Sequence, residues 1–302
     1  MKIVIKNLSL ILLALFLFMP GRALAHQPRI VKGNFVEITN PEVSQAFYGE
    51  LPGAQVEYRI NSDREFRLYV GILVPDIPDV RKDIAAEIYR VKDGGKETVA
   101  LLDGSQFEWT PFYEDFAKDS YFWGPEYKAD DSQKGVELKG RLVPSGDYHI
   151  KVFSPTNQGK YSLVVGDLEE FPLKEIINAM TTVPQVKLKF FGEPLSKVLL
   201  SPFGGGTILV FYLFAFIVGF LLRAILKKVA KNSPRGLGKN IGKPDRLLRV
   251  AIGVGLLVWA ITTTWNPILL FFSGFVLFEA IFSWCGFYAA LGKNTCPPGP
   301  IF

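Results

Sequence analysis

Residues 223–249 read RAILKKVAKNSPRGLGKNIGKPDRLLR, with nine Lys or Arg against a single acid, Asp245, and they lie between two long apolar stretches. Basic residues flanking a membrane span resist translocation, so such a block is held on the cytoplasmic side. Before it, residues 198–222 contain no charge, and 207–222 are apolar apart from Thr207. A helix rises about 1.5 Å per residue and a hydrocarbon core is about 30 Å thick, so roughly 20 residues make a span. Beyond the block, 29 residues from 250 to 278 are uncharged, too many for one ordinary span, and Trp265-Asn266-Pro267 interrupts them near the middle. A helical hairpin is predicted there, over residues 247–264 and 267–287. Three transmembrane helices would return the C-terminus to the cytoplasm.

The N-terminus has the three parts of a signal peptide: Lys2 and Lys6, an apolar core over residues 8–19, and Ala23-Leu24-Ala25 as a small-residue cleavage site. An uncleaved anchor is the alternative, and either places residues 26–200 outside the cytoplasm. That region carries 27 acids and 21 bases, so the overall charge of +5 comes from the signal segment and the basic loop. The basic balance therefore reflects topology, and nucleic acid is not an expected partner. Only Cys285 and Cys296 are present, which excludes a disulfide-stapled outer domain.

Residues 26–167 read as an all-β sandwich. Alternating or β-rich runs lie at 55–60, 66–74, 85–91, 98–102, 136–143, 148–153 and 161–165, separated by turn clusters such as Asp93-Gly94-Gly95 and Pro144-Ser145-Gly146-Asp147. Residues 168–200 form a connector, where Leu173, Ile176, Ile177 and Met180 have the spacing of an amphipathic helix limited by Pro184 and Pro194. The helix either caps the sandwich or lies on the membrane surface. The predicted order is thus signal peptide 1–25, sandwich 26–167, connector 168–200, first span 201–226, basic loop 227–246, hairpin 247–287 and tail 288–302.

Two stretches resemble known families. Asn240-x-Gly242-x-x-Asp245-Arg246-x-x-Arg249-x-x-x-Gly253, followed by Cys285-x-x-Tyr288-x-x-x-Gly292-x-x-Thr295-Cys296, resembles the transmembrane domain of the YgaP-like inner-membrane family, with Gly286 where the family usually has Pro. The resemblance implies a hairpin with both ends in the cytoplasm. Residues 145–166, with their Gly-x-Tyr strands, and residues 44–60 resemble pre-peptidase C-terminal type β-sandwich modules, which implies an accessory, non-catalytic domain.

Several residues are candidates for chemistry. Pairing the hairpin about its turn puts Glu279 within reach of Arg249, and a carboxylate in a span needs such a partner, being unfavourable by about 2.5–3.5 kcal/mol on insertion scales. A proton or ion relay is the functional alternative for Glu279. The same register puts Cys285 level with Arg246, a cation that favours thiolate. Cys285, Cys296 and Arg246 are therefore a candidate thiol site, and buried structural cysteines the alternative. Arg246 and Arg249 can also reach lipid phosphates, and Gly253, Gly255 and Gly274 can admit close helix approach.

In the outer region, residues 107–127 pack nine aromatics and five acids into a turn-rich stretch, where Trp109, Tyr113, Tyr121 and Trp123 can stack on a sugar or cation or serve as a satellite core. His26, freed as an N-terminus by cleavage, is a weak candidate for copper with His149. No catalytic constellation, cofactor or metal is predicted. The expected function is a non-enzymatic membrane protein whose sandwich binds an extracytoplasmic protein partner or small ligand, with membrane lipids around its helices. A thiol-dependent carrier or transporter built on the hairpin is the alternative.

Overall fold

The computed structural model describes residues 26–115, 117–129, 139–229 and 238–296. The predicted signal peptide at 1–25, part of the 136–143 run, part of the basic loop and the end of the tail lie outside the described residues. The chain forms two compact units, residues 1–176 and 177–302.

The first unit is built from thirteen described strands: β1 (Gln27–Ile30), β2 (Phe35–Glu37), β3 (Gln45–Pro52), β4 (Val56–Ser62), β5 (Phe66–Leu68), β6 (Val70–Pro75), β7 (Ala85–Lys92), β8 (Gly95–Asp103), β9 (Thr110–Glu114), β10 (Asp119–Tyr127), β11 (Arg141–Val143), β12 (Gly146–Phe153) and β13 (Gln158–Val165). They make a six-stranded sheet, β1-β3-β13-β6-β10-β9, a five-stranded sheet, β2-β4-β12-β7-β8, and a short β11-β5 ladder. Strand alternation sends Phe47, Ile72, Val74 and Leu163 of the larger sheet, and Val56, Ile60, Ile88 and Ile150 of the other, into one core. Each such side chain stabilises by roughly 1.5–3 kcal/mol when fully buried.

The run predicted at 66–74 is two strands in different ladders. Buried Tyr69 stands at the switch, where its carbonyl accepts from Gly166 N–H (3.0 Å) and its hydroxyl donates to Glu126. Residues 107–127, predicted as turn-rich, contain the β9–β10 hairpin at the end of the sheet. Its aromatic and β-branched residues pair across strands, Phe112 with Tyr121 and Thr110 with Trp123. Pro111 fits in β9 because that strand is at an edge.

At the centre of the core the Tyr58 and Tyr161 hydroxyls satisfy each other at 2.9 Å, both residues being fully buried. Tyr161→Phe should therefore destabilise the domain by about 1–3 kcal/mol, because it strands the Tyr58 hydroxyl, and adding Tyr58→Phe should restore part of the loss. A double-mutant cycle on chemical unfolding checks this; additive losses would show that the pair is not coupled.

The remaining elements are helical: α1 (Leu173–Gln185), a π-helical turn (Val186–Phe190), α2 (Leu195–Leu200), α3 (Gly205–Val229), α4 (Lys243–Thr262), α5 (Pro267–Phe282) and α6 (Gly286–Leu291). Helix α1 buries Ala179, Thr182 and Val183, whereas Leu173 and Ile177, expected on its apolar stripe, are exposed. Pro184 lies inside it. Pro184 lacks the N–H that would bond the Met180 carbonyl, and the Thr207 hydroxyl lies 2.9 Å from that oxygen instead.

Among the described residues, one helix is long and apolar enough to cross a membrane, over residues 205–228 of α3. Helix α5 is apolar but shorter, its 16 residues covering about 24 Å, and α4 carries Lys243, Asp245, Arg246 and Arg249 in its first turns. The predicted 267–287 helix ends at Phe282 because Ser283 turns left-handed (φ 53°). Between α4 and α5, Trp265 is left-handed, and Asn266 caps α5 by accepting from Ile268 N–H (2.8 Å). Gly253 faces Leu277, and Gly274 faces Tyr212 and Ala215 of α3, so a side chain at either would meet its neighbour. Gly255, expected to do the same, has nothing within 4 Å.

Candidate functional site

The motif residues of the hairpin converge at its open end, away from the Trp265 turn. Asn240, 1% exposed, is the clamp. Its side-chain amide donates to Cys285 O (2.9 Å) and its side-chain oxygen accepts from Cys285 N–H (2.7 Å). Its backbone N–H reaches Ser283 O (3.0 Å) and its carbonyl accepts from Thr295 N–H (3.1 Å), so one residue joins the segment before α4 to the two segments after α5. The Thr295 hydroxyl accepts from Gly242 N–H (2.9 Å) and donates to Asp245 (3.1 Å).

The charged residues continue this network. Arg249 Nε donates to Asp245 (3.1 Å), its Nη1 pairs with Glu279, and its guanidinium lies 5.1 Å from the Tyr288 ring centre. Glu279 is 6% exposed, so the carboxylate and the guanidinium are desolvated together. The structure thus brings Arg249 and Glu279 into one ion pair, and it turns Arg249 inward and away from the lipid-phosphate position.

The candidate thiol site is arranged differently from the expectation. Cys285 is 3% exposed, and the electrostatic neighbours of its thiol are Glu279 and Arg249. Arg246 donates its Nε to the Ala280 carbonyl (2.9 Å). Cys296 Sγ lies 3.6 Å from Lys239 O, and both cysteines are free. The shift of Arg246 follows from helix geometry: a guanidinium beside an unpaired helix-end carbonyl satisfies it directly.

In the first unit, the four predicted aromatics do not form one stacking surface. Trp109 turns inward, its indole N–H donating to Gly104 O (2.8 Å) and its ring covering Gly124. Tyr121 is 4% exposed and its hydroxyl pairs with that of Tyr48 (3.1 Å). Trp123 packs edge-on against Phe112 (4.9 Å), with Lys139 Nζ 5.9 Å from its ring. Tyr113 alone of the four is exposed, at 53%, and strand alternation puts it on the face opposite Phe112, Tyr121 and Trp123.

His26 and His149 belong to different sheets. His149 lies on the outward face of the five-stranded sheet, with Nδ1 2.8 Å from Glu57, Nε2 3.5 Å from Asp147, and its ring stacked on Tyr89. The Tyr89 hydroxyl, chiefly, holds the Glu57 carboxyl below the usual carboxylate range, and the Arg59 guanidinium does the same for Asp147. The alternation of His149 with Tyr148 and Ile150 placed it on a strand face, but its acidic neighbours come from β4 and its own strand through register alone. Among the described residues no group of three or more His, Cys, Asp or Glu is placed to hold a metal.

His26 contacts the Ser44 hydroxyl, and burial, helped by Lys139, pushes its imidazole down to about 4. Between about pH 6.5 and 4 the unfolded chain then binds a proton that the folded chain does not, so stability falls as pH falls through that window and is retained above it. The loss is on the order of 2 kcal/mol once screening of this half-buried group is allowed for. Thermal unfolding of the full chain should show it, and His26→Gln should flatten it; an unchanged pH dependence would contradict the assignment.

A β-sandwich-like domain followed by apolar helices with a charge-paired hairpin defines a membrane protein with an attached β module. Residues 237–299 match the family model described as "Inner membrane protein YgaP-like, transmembrane domain". Among solved structures, the N-terminal half aligns weakly with the pre-peptidase C-terminal domain of a collagenase from Bacillus anthracis, at 8% identity and a TM-score of 0.24, covering 47% of this chain and 95% of that one. A second alignment is with AvmM, described as catalysing macrocyclization in alchivemycin A biosynthesis, at 13% identity and a TM-score of 0.18, covering 46% of this chain and 62% of that one. No curated protein matches the chain.

Proposed function

We propose that this is a non-enzymatic, multi-pass inner-membrane protein whose sandwich lies outside the cytoplasm and binds a protein partner, as an accessory or assembly subunit. The family match over 237–299, the apolar helix α3 and the basic loop beyond it support the membrane placement. In this reading α3, α4 and α5 are the three spans, and the pairing of Arg249 with Asp245 and Glu279 supports it by lowering the charge the hairpin would carry into the bilayer. The observation that carries the binding role is the sheet edge at β9, unpaired among the described residues, where Phe112 and Tyr113 are exposed (36% and 53%) beside exposed Phe107. Aromatic side chains on opposite faces of one edge suit a protein surface that grips the strand, since a small-molecule site needs rings converging on one cavity. Pro111 opposes partner recognition by continuous strand addition, so the side chains are the recognition elements.

Full-length protein purified from its native membrane through a C-terminal tag should carry a partner at fixed ratio, and Phe112→Ala with Tyr113→Ala should release it, Tyr113→Ala alone weakening it without lowering the thermal midpoint. A partner retained by that double variant would overturn the edge assignment. Nothing in the hairpin favours the thiol-carrier alternative, since Cys285 is buried and Arg246 is bonded to a carbonyl.

A further inference from the structure

The polar groups at the open end of the hairpin are nearly all satisfied within the chain, and the exceptions lie together. Arg223, near the end of α3, places its guanidinium carbon 5.7 Å from the centre of the Trp284 ring. Trp284 is 1% exposed, and among the described residues its indole N–H has no hydrogen-bond partner and the buried Arg223 Nε has none either. Two orphaned donors on one cation–aromatic pair are unfavourable in an apolar medium, where an unpaired polar group loses a full hydrogen bond with nothing to replace it. In contrast, Arg249 is committed to Asp245 and Glu279, and Arg246 gives its Nε to Ala280 O.

Charge and position identify the missing acceptor. Lys227 and Lys228, exposed on the next turn of α3, repeat the positive charge of Arg223, and the basic segment follows directly. A helix end that is cationic, carries a Trp and leaves an Arg donor open suits a phosphate oxygen, which accepts from guanidinium in a planar, charge-assisted contact. At the end of a membrane span the abundant source of such an oxygen is a lipid headgroup.

We propose that Arg223 and Trp284 form a binding site for the phosphate of an anionic phospholipid, with Lys227 and Lys228 adding long-range attraction. This rests on the multi-pass reading above, with the end of α3 at the cytoplasmic surface. Arg223 is partly exposed while Trp284 is buried beneath it, so the guanidinium is the member of the pair that the lipid phosphate meets, and the indole holds it in place.

The test uses the full-length protein in nanodiscs of phosphatidylcholine, with and without phosphatidylglycerol, reading bound lipid by native mass spectrometry and the thermal midpoint in parallel. Phosphatidylglycerol should raise the midpoint and remain bound. Arg223→Gln should lose at least about tenfold in bound phosphatidylglycerol, a loss appropriate to one charge-assisted hydrogen bond. Trp284→Phe, which keeps the ring and removes the donor, and Arg223→Lys, which keeps the charge and removes the planar fork, should each retain part. The midpoint in phosphatidylcholine alone reports whether each variant still folds. Wild-type binding that survives Arg223→Gln, or that falls only with Lys227→Gln and Lys228→Gln, would overturn the site in favour of diffuse surface charge. An equal rise of the midpoint with inorganic phosphate in phosphatidylcholine would overturn the lipid as its source. Alkaline phosphatase fused after Phe302 reports topology separately: enzymatic activity outside the cytoplasm would refute the three-span reading itself, whatever the lipid result.

Discussion

Replacing Arg249 with alanine is expected to be the most damaging single change in the helical unit, destabilising it by about 3–5 kcal/mol, the range for removing one partner of a buried ion pair. The side chain contacts Asp245, Glu279 and the Tyr288 ring at once, and Glu279 is 6% exposed. Without the guanidinium, a desolvated carboxylate remains in an apolar hairpin, where it must take up a proton or draw in water. Glu279→Gln removes the opposite charge while keeping a polar group, so it should cost less than Arg249→Ala. Combining Arg249→Ala with Glu279→Gln should recover stability relative to Arg249→Ala alone. Folded yield and unfolding in detergent measure the order. If Arg249→Ala folds as well as the native chain, the pair is not a structural element, and a role in moving protons or ions becomes the better account of Glu279.

The second large effect is expected at Asn240. Asn240→Leu has a similar size but strands both Cys285 N–H and Cys285 O, which the Asn side chain satisfies in a buried position. Two unpaired backbone groups at about 1–3 kcal/mol each predict a loss of roughly 2–6 kcal/mol. Asn240→Asp should be no milder, since it keeps the acceptor for Cys285 N–H but buries a carboxylate with one oxygen against Cys285 O. The consequence should be local first. The α5–α6 junction is held by this residue, so hydrogen exchange at Cys285 and Thr295 should accelerate in Asn240→Leu before global unfolding changes. Exchange that stays native-like at both positions would mean that the junction is held by other contacts.

Much of this architecture was legible because it is written in local patterns. The apolar lengths and the basic block announced the helices, and the break at Trp265-Asn266-Pro267 marked the turn. Residues 85–91 and 148–153 alternate with a period of two and form strands β7 and β12. Placing Glu279 near Arg249 needed only hairpin arithmetic, because two antiparallel helices have one free parameter once the turn is known.

The less legible features depend on contacts between distant segments. Asn240 stood in the hairpin motif, yet its bonds run to Ser283, Cys285 and Thr295, up to 55 residues away in sequence, and no periodicity records them. Arg246 was read as a partner for Cys285, but the free carbonyl of Ala280 at the end of α5 took it. Tyr113 and Tyr121 belong to one aromatic stretch, yet the β9–β10 register sends them to opposite faces. For α1, the spacing of Leu173, Ile176, Ile177 and Met180 named the helix, but the face packed against the chain is that of Ala179, Thr182 and Val183, because which face is buried depends on the elements around it.

By itself, then, the sequence determined the kinds of element and their order: a β-rich region, a connector, apolar helices and the charge that separates them. Those follow from backbone hydrogen bonding and the period of apolar residues, both local properties. Only the tertiary structure decided which donors meet which acceptors. Desolvation makes an unpaired polar group costly wherever it lies, so Asn240, Arg249 and the Tyr58–Tyr161 pair find partners far along the chain, while Arg223 and Trp284 are left with donors the chain does not fill.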